Sequence, residues 1–76
     1  MSFSSDKRKA GDVTLSLQIR ASHARSCARH VAEKRGTPRS VIIDEVKATT
    51  GIDLNDVANH EDLLTAVGCL DRLRRI

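Results

Sequence analysis

Tryptophan and tyrosine are missing from the 76 residues, and the single phenylalanine, Phe3, falls in a polar stretch at the N-terminus. Whatever core the chain builds is therefore aliphatic. Cysteine is scarce as well: Cys27 and Cys69 form no CxxC pair, and nothing points to an oxidising compartment. No apolar run approaches the roughly 20 residues of a membrane span. The first 20 residues also lack the apolar block of a signal peptide. A cytoplasmic location with no membrane partner is expected. A chain this short buries only about 60% of its surface on folding, so oligomerisation is the expected route to a sufficient core.

What is abundant is charge, and it is unevenly placed. Residues 1–40 hold nine basic side chains against Asp6, Asp12 and Glu33, whereas residues 41–76 hold four against seven acids. The front half thus carries +6 and the back half −3 within a total of +3. A basic front half suggests a polyanion, most often nucleic acid, with the acidic part facing away from it. Two unrelated solvated surfaces would be the simpler explanation.

Residues 1–11 show no periodicity and read as a mobile basic arm. Residues 13–19 alternate, with Val13, Leu15, Leu17 and Ile19 on one face and Thr14, Ser16 and Gln18 on the other, as in a half-buried strand. With Ser22 as N-cap, a helix is expected over about 22–35, with Ala24, Ala28 and Val31 on one stripe and Gly36 at its end. Thr37 as N-cap and Pro38 at the first helical position predict a second helix over about 38–50, burying Ile42, Ile43 and Val46. Ile52, Leu54 and Val57 make a short apolar stretch. A third helix is expected over about 61–75 within a C-terminal extension, 52–76.

A lone strand cannot satisfy its own backbone groups, and no second alternating segment exists to pair with it. It is therefore expected to lie antiparallel to the same strand of a second copy. The fold class that follows is mainly α with one β-strand: a homodimer joined by a two-stranded ribbon and covered by helices.

The order of strand, helix, Gly-led turn and helix resembles the ribbon-helix-helix DNA-binding proteins over residues 12–50 or so. The segments that carry the resemblance are VTLSLQIR and Gly36-Thr37-Pro38-Arg39-Ser40 leading into VIIDEV. Proline stands where that family's Gly-x-Ser-x-Ser-like turn has its first serine. The resemblance implies that Thr14, Ser16 and Gln18 read base edges in the major groove, where Gln18 could pair bidentately with adenine. It implies phosphate contacts by Thr37, Arg39 and Ser40 at a helix N-terminus, with Arg20 and the arm residues Lys7, Arg8 and Lys9 as additions. Leu15, Leu17, Ile19, Ala28, Val31, Ile42 and Val46 would form the dimer core. The plain alternatives are solvated strand residues, a Thr37 cap and a solubilising tail.

Other chemistry has weaker support. His23, Cys27 and His30 fall at i, i+4 and i+7, one side of a helix, a spacing that could offer three ligands to zinc or a Cys–His nucleophile. A fourth ligand cannot be placed, and a chain with no Gly-rich loop leaves little room for a substrate pocket. No metal, no cofactor and no enzymatic activity are expected. The third helix has two readings. Leu63, Val67 and Leu70 either extend the core or form a face for a protein partner, as in an antitoxin. The resulting expectation is a bacterial or plasmid DNA-binding transcriptional repressor associated with the nucleoid. An antitoxin-like interaction protein, or an accessory protein of plasmid transfer or partition, is the alternative.

Overall fold

A computed structural model describes residues 2–76. Four helices follow one another: α1 (Phe3–Ala10), α2 (Leu17–Arg35), α3 (Arg39–Thr50) and α4 (His60–Arg74). No strand occurs among the described residues. The expectation of an α+β ribbon dimer, and with it the resemblance to ribbon-helix-helix proteins, is thereby overturned: the protein is all-helical.

The alternating segment fails as a strand because local turn chemistry captures it. The Asp12 carboxylate accepts from the Thr14 backbone N–H (3.0 Å) and hydroxyl (2.6 Å), closing an Asx turn. Ser16, two residues later, caps α2 by accepting from the Ile19 N–H at 3.3 Å. Once Leu17 is helical, the four apolar residues no longer share a face. Val13 is 72% exposed and Ile19 50%, while Leu17 packs part-buried against the core. Ser22, expected as the cap, is an exposed residue inside α2, which starts five positions earlier than the sequence suggests.

Residues 3–10, expected as part of a mobile arm, form a helix that docks on α2; Met1 lies outside the described residues. Ser2 caps α1 through the Ser5 N–H, and Phe3, Asp6 and Ala10 turn inward at helical spacing. Phe3 is therefore a core residue, with the Arg74 guanidinium 4.2 Å above its ring.

The turn between α2 and α3 follows glycine chemistry. Gly36 adopts φ 69°, which lets the Thr37 N–H reach the Ala32 carbonyl at 3.0 Å and close the end of α2. Thr37 does not cap α3, however. Pro38 holds the N-cap position, and the Thr37 hydroxyl is covered without a hydrogen-bond partner. At the other end of the chain, Asn59 caps α4 through the Asp62 N–H at 2.9 Å. Glu61 and Asp62 in its first turn suit the helix dipole.

One core receives all four helices. Ala28, Val31, Ile42 and Val46, assigned to a dimer interior by the ribbon expectation, are at most 1% exposed within the single chain. The small side chains of α2 at Ala24 and Ala28 let neighbouring elements approach closely. Leu54 is fully buried in the loop after α3, flanked by part-buried Ile52 and Val57. Leu63, Val67 and Leu70 on α4 are buried as well, so the face expected for a protein partner is covered by the chain itself. No helix among the described residues is long and apolar enough to cross a membrane.

Candidate functional site

The most unusual chemistry lies where α1 crosses α2. Asp6 is fully buried, and its two carboxylate oxygens face different histidines: Oδ1 is 3.0 Å from His23 Nδ1, and Oδ2 is 3.0 Å from His30 Nε2. An ionised carboxylate only accepts, so both ring nitrogens carry the hydrogen and donate. The two histidines are seven residues apart on α2 and so share the side on which α1 lies. Burial pushes the Asp6 carboxyl upward, but the hydrogen bonds and electrostatic attraction of His23 and His30 outweigh it and hold it below its ordinary value.

Cys27 sits between those histidines, with no exposed surface, and its Sγ donates to the Phe3 carbonyl at 3.8 Å. Burial, reinforced by the Asp6 charge, pushes its thiol up to about 12. The nucleophile spacing seen in the sequence is thus present, but in this arrangement the sulfur is protonated and covered. Among the described residues, no three His, Cys, Asp or Glu side chains are placed to hold a metal ion. His23 and His30 turn to separate oxygens of one carboxylate rather than to a common point.

A depressed carboxyl makes stability depend on acidity with a definite sign. Asp6 contributes fully above the ordinary carboxylate range, about 4, and the contribution is lost as pH falls through its lower folded value. Asp12 and Asp71, both half-buried, act in the same direction. We expect the urea midpoint of the protein to fall between about pH 5 and about pH 2.5. The fall is smaller in Asp6→Asn, whose amide does not titrate. Equal pH dependence in the two proteins would contradict the assignment.

Arg20 forms a second buried polar junction. Only 5% exposed, it donates from Nε to the Ala10 carbonyl at 2.8 Å and from Nη2 to His60 Nδ1 at 2.7 Å. It joins the end of α1 to the start of α4 and is closed to a DNA phosphate.

The remaining residues expected to touch DNA are dispersed. Thr14 lies in the Asx turn, Ser16 caps α2 and Gln18 is exposed in its first turn. The common face they would share on a strand does not exist. Arg39 and Ser40 are exposed at the start of α3, while the Thr37 hydroxyl is covered. Arg8 is exposed and Lys9 half-buried on α1. Leu15 is half-buried, and Ile19 faces solvent.

Lys7 belongs to a cluster that the sequence order conceals. Lys7, Arg74 and Arg75 converge on Asp71 at 3.2, 2.8 and 3.0 Å. Lys34 donates to the Arg74 carbonyl at 2.6 Å, and Arg35 to the Leu73 carbonyl at 2.9 Å, while Arg35 also reaches Glu45 at 3.2 Å. Five cations and two carboxylates therefore gather around the last turn of α4. Arg72, exposed in the same turn, adds a sixth positive charge, so the balance around this helix end is positive. The hydrogen bond from Lys7 is the main reason the Asp71 carboxyl lies below its ordinary value. Part of this cluster is structural, since cations favour the open carbonyls of a helix C-terminus.

A cleft of about 410 Å³ opens between the first turns of α2 and the loop after α3, lined by Leu17, Ala21 and Val57 and by Gln18, Arg25, Asn55 and Asp56. Arg25 is anchored there by the Leu54 carbonyl at 3.0 Å. Compared with protein-family models, with curated proteins and with solved structures, the chain matches none.

Proposed function

We propose that the protein binds a polyanion, in the first place double-stranded DNA, by holding phosphates against the basic end formed by Lys7, Lys34, Arg35, Arg74 and Arg75. The observation that carries this reading is the gathering of cations from α1, α2 and α4 around one helix end, in excess of the carboxylates there. The charged heads of Lys7 and Arg75 are substantially exposed, so they can meet a phosphate without leaving the protein. The acids Asp53, Asp56, Glu61 and Asp62 fall in the loop after α3 and at the opposite end of α4. A ligand of uniform negative charge would therefore meet the molecule in one orientation. Backbone contacts of this kind fix position and carry no base information. Association with the nucleoid, and a role as a transcriptional regulator, follow from the same reading where the DNA sequence is read in addition.

The test is an anisotropy titration of a labelled duplex at two salt concentrations. About three phosphates neutralised give a slope near −2.7, so binding weakens roughly 40-fold between about 50 and 200 mM salt. Lys34→Gln together with Arg75→Gln lowers both affinity and slope, whereas Gln18→Ala changes neither. A duplex from upstream of the gene, set against a scrambled one, separates a sequence reader from a backbone binder. Binding to neither duplex at low salt, or binding indifferent to the paired substitution, overturns the proposal.

A further inference from the structure

The α1–α2 crossing places three reactive side chains beneath one short helix. Among the described residues, the side chains of His23, Cys27 and His30 hydrogen-bond to α1 alone: Asp6 takes both imidazoles, and the Phe3 carbonyl takes the thiol. That helix has eight residues, too few to persist in isolation. Its apolar anchorage is two side chains, Phe3 and Ala10, against five buried apolar residues on α4. Much of its remaining hold is polar, through Asp6, the Lys7–Asp71 pair and Arg20 on the Ala10 carbonyl. Residues 11–16, which join it to α2, form a turn with Val13 and Thr14 exposed to solvent. A single short helix that packs closely on α2 but is anchored largely by polar links, and joined to it by a solvated connection, can open without global unfolding.

We propose that α1 is a lid latched by the Asp6 bridge, and that its opening converts Cys27, with His23 and His30 beside it, into a modification site for low-molecular-weight disulfides. Closed, the thiol has no solvent access, and its hydrogen goes to the Phe3 carbonyl rather than to an imidazole. Open, one event removes the cover, takes away the Asp6 charge and frees two imidazoles one helical turn to either side of the sulfur. The freed imidazole of His23 or His30 takes the thiol proton. The thiolate then attacks one sulfur of the disulfide, a new S–S bond forms to Cys27, the old S–S bond breaks and the other half leaves as its thiolate. Lys7 leaves with α1, so Arg74 is the cation and Asp71 the acid that stay near this sulfur. Once modified, Cys27 no longer fits beneath α1, so the open form persists until the mixed disulfide is reduced.

Cys69 provides the internal control, since it is a free thiol, 2% exposed, on the core helix α4. Thiol release from 5,5′-dithiobis(2-nitrobenzoate) is followed in native buffer with Cys69→Ala, reading Cys27, and with Cys27→Ala, reading Cys69. The expected result is a Cys27 rate at least tenfold above the Cys69 rate. Asp6→Asn then raises the Cys27 rate a further tenfold or more and leaves Cys69 unchanged. Two thiols reacting at one common rate in the otherwise unaltered chain would show that only global unfolding exposes them, and the lid would be abandoned. Equal acceleration of both thiols by Asp6→Asn would likewise rule the lid out. Should Asp6→Asn fail to fold, the ratio of the two rates with Asp6 in place decides the matter alone.

Discussion

Removal of residues 53–76 abolishes cooperative folding of what remains. The deleted stretch contains Leu54, Leu63, Ala66, Val67, Cys69 and Leu70, each at most 5% exposed in the intact protein. Truncating one fully buried leucine to alanine typically costs about 2–5 kcal/mol, and three leucines are lost here along with the surface that covers α2 and α3. A domain of this size has about 5–15 kcal/mol of stability in total. The remaining helices would expose Ala28, Val31, Ile42 and Val46 to water, and nothing in α1 can replace α4. Circular dichroism of the truncated chain should show no sigmoidal urea or thermal transition. Leu70→Ala in the full chain should retain a transition at a lower midpoint, about 2–5 kcal/mol less stable. A truncated chain that melts cooperatively would mean that residues 1–52 are a domain and α4 an appendage. A single core shared by all four helices would then be wrong.

The parts of this fold that could be read from sequence are those where helix periodicity and punctuation agree. The Ala24–Ala28–Val31 stripe, the stop at Gly36 and the Ile42–Val46 pair each fall at a helix face or terminus. The failure lies at residues 13–19, where perfect two-residue alternation competed with two side chains that form turns. Four apolar residues gain from a strand only if a partner strand exists, whereas Asp12 and Ser16 secure their hydrogen bonds locally. Without a second strand in the chain, the local chemistry wins. Pairing with a second copy through that strand was an inference from the strand, so that mode of pairing falls with it.

The site was half legible. His23, Cys27 and His30 do line one side of α2, as their spacing demands, but their partner came from a segment that reads as a tail. The signal was present: Ser2 is a good N-cap, and Phe3, Asp6 and Ala10 recur at a helical period. Against a background of Ser, Lys and Arg, three inward residues in eight are easily missed. Charge behaves differently. The front-half excess predicted a basic surface in residues 1–40, yet the cluster draws Lys7, Lys34 and Arg35 together with Arg74 and Arg75 from the far end of the chain. Charge summed along a sequence says how much there is. Where it collects depends on which helix ends meet.

Arg20 is the residue whose surroundings differ most from expectation, and its substitution is the sharper test of the packing. As a surface phosphate contact, Arg20→Leu would leave stability within about 0.5 kcal/mol, as surface changes usually do. As a buried junction it should lower stability by about 2–4 kcal/mol. The Ala10 carbonyl loses its charged donor, and a buried group left unpaired carries its full desolvation penalty. Arg20→Lys should recover little of this. One ammonium on a flexible stem cannot reproduce two N–H groups directed at acceptors 2.8 and 2.7 Å away on different helices. The two acceptors differ in surroundings, because His60 is solvent-exposed and Ala10 is fully buried. His60→Ala alone should therefore cost less than about 1 kcal/mol, water replacing the ring as partner to Nη2. Adding Arg20→Leu to it should produce nearly the whole loss seen in Arg20→Leu by itself. Urea midpoints of the four proteins in this cycle measure the coupling directly. A mild Arg20→Leu would show that the α1 end is not held by this guanidinium. A severe His60→Ala would move the junction's weight from α1 to the start of α4.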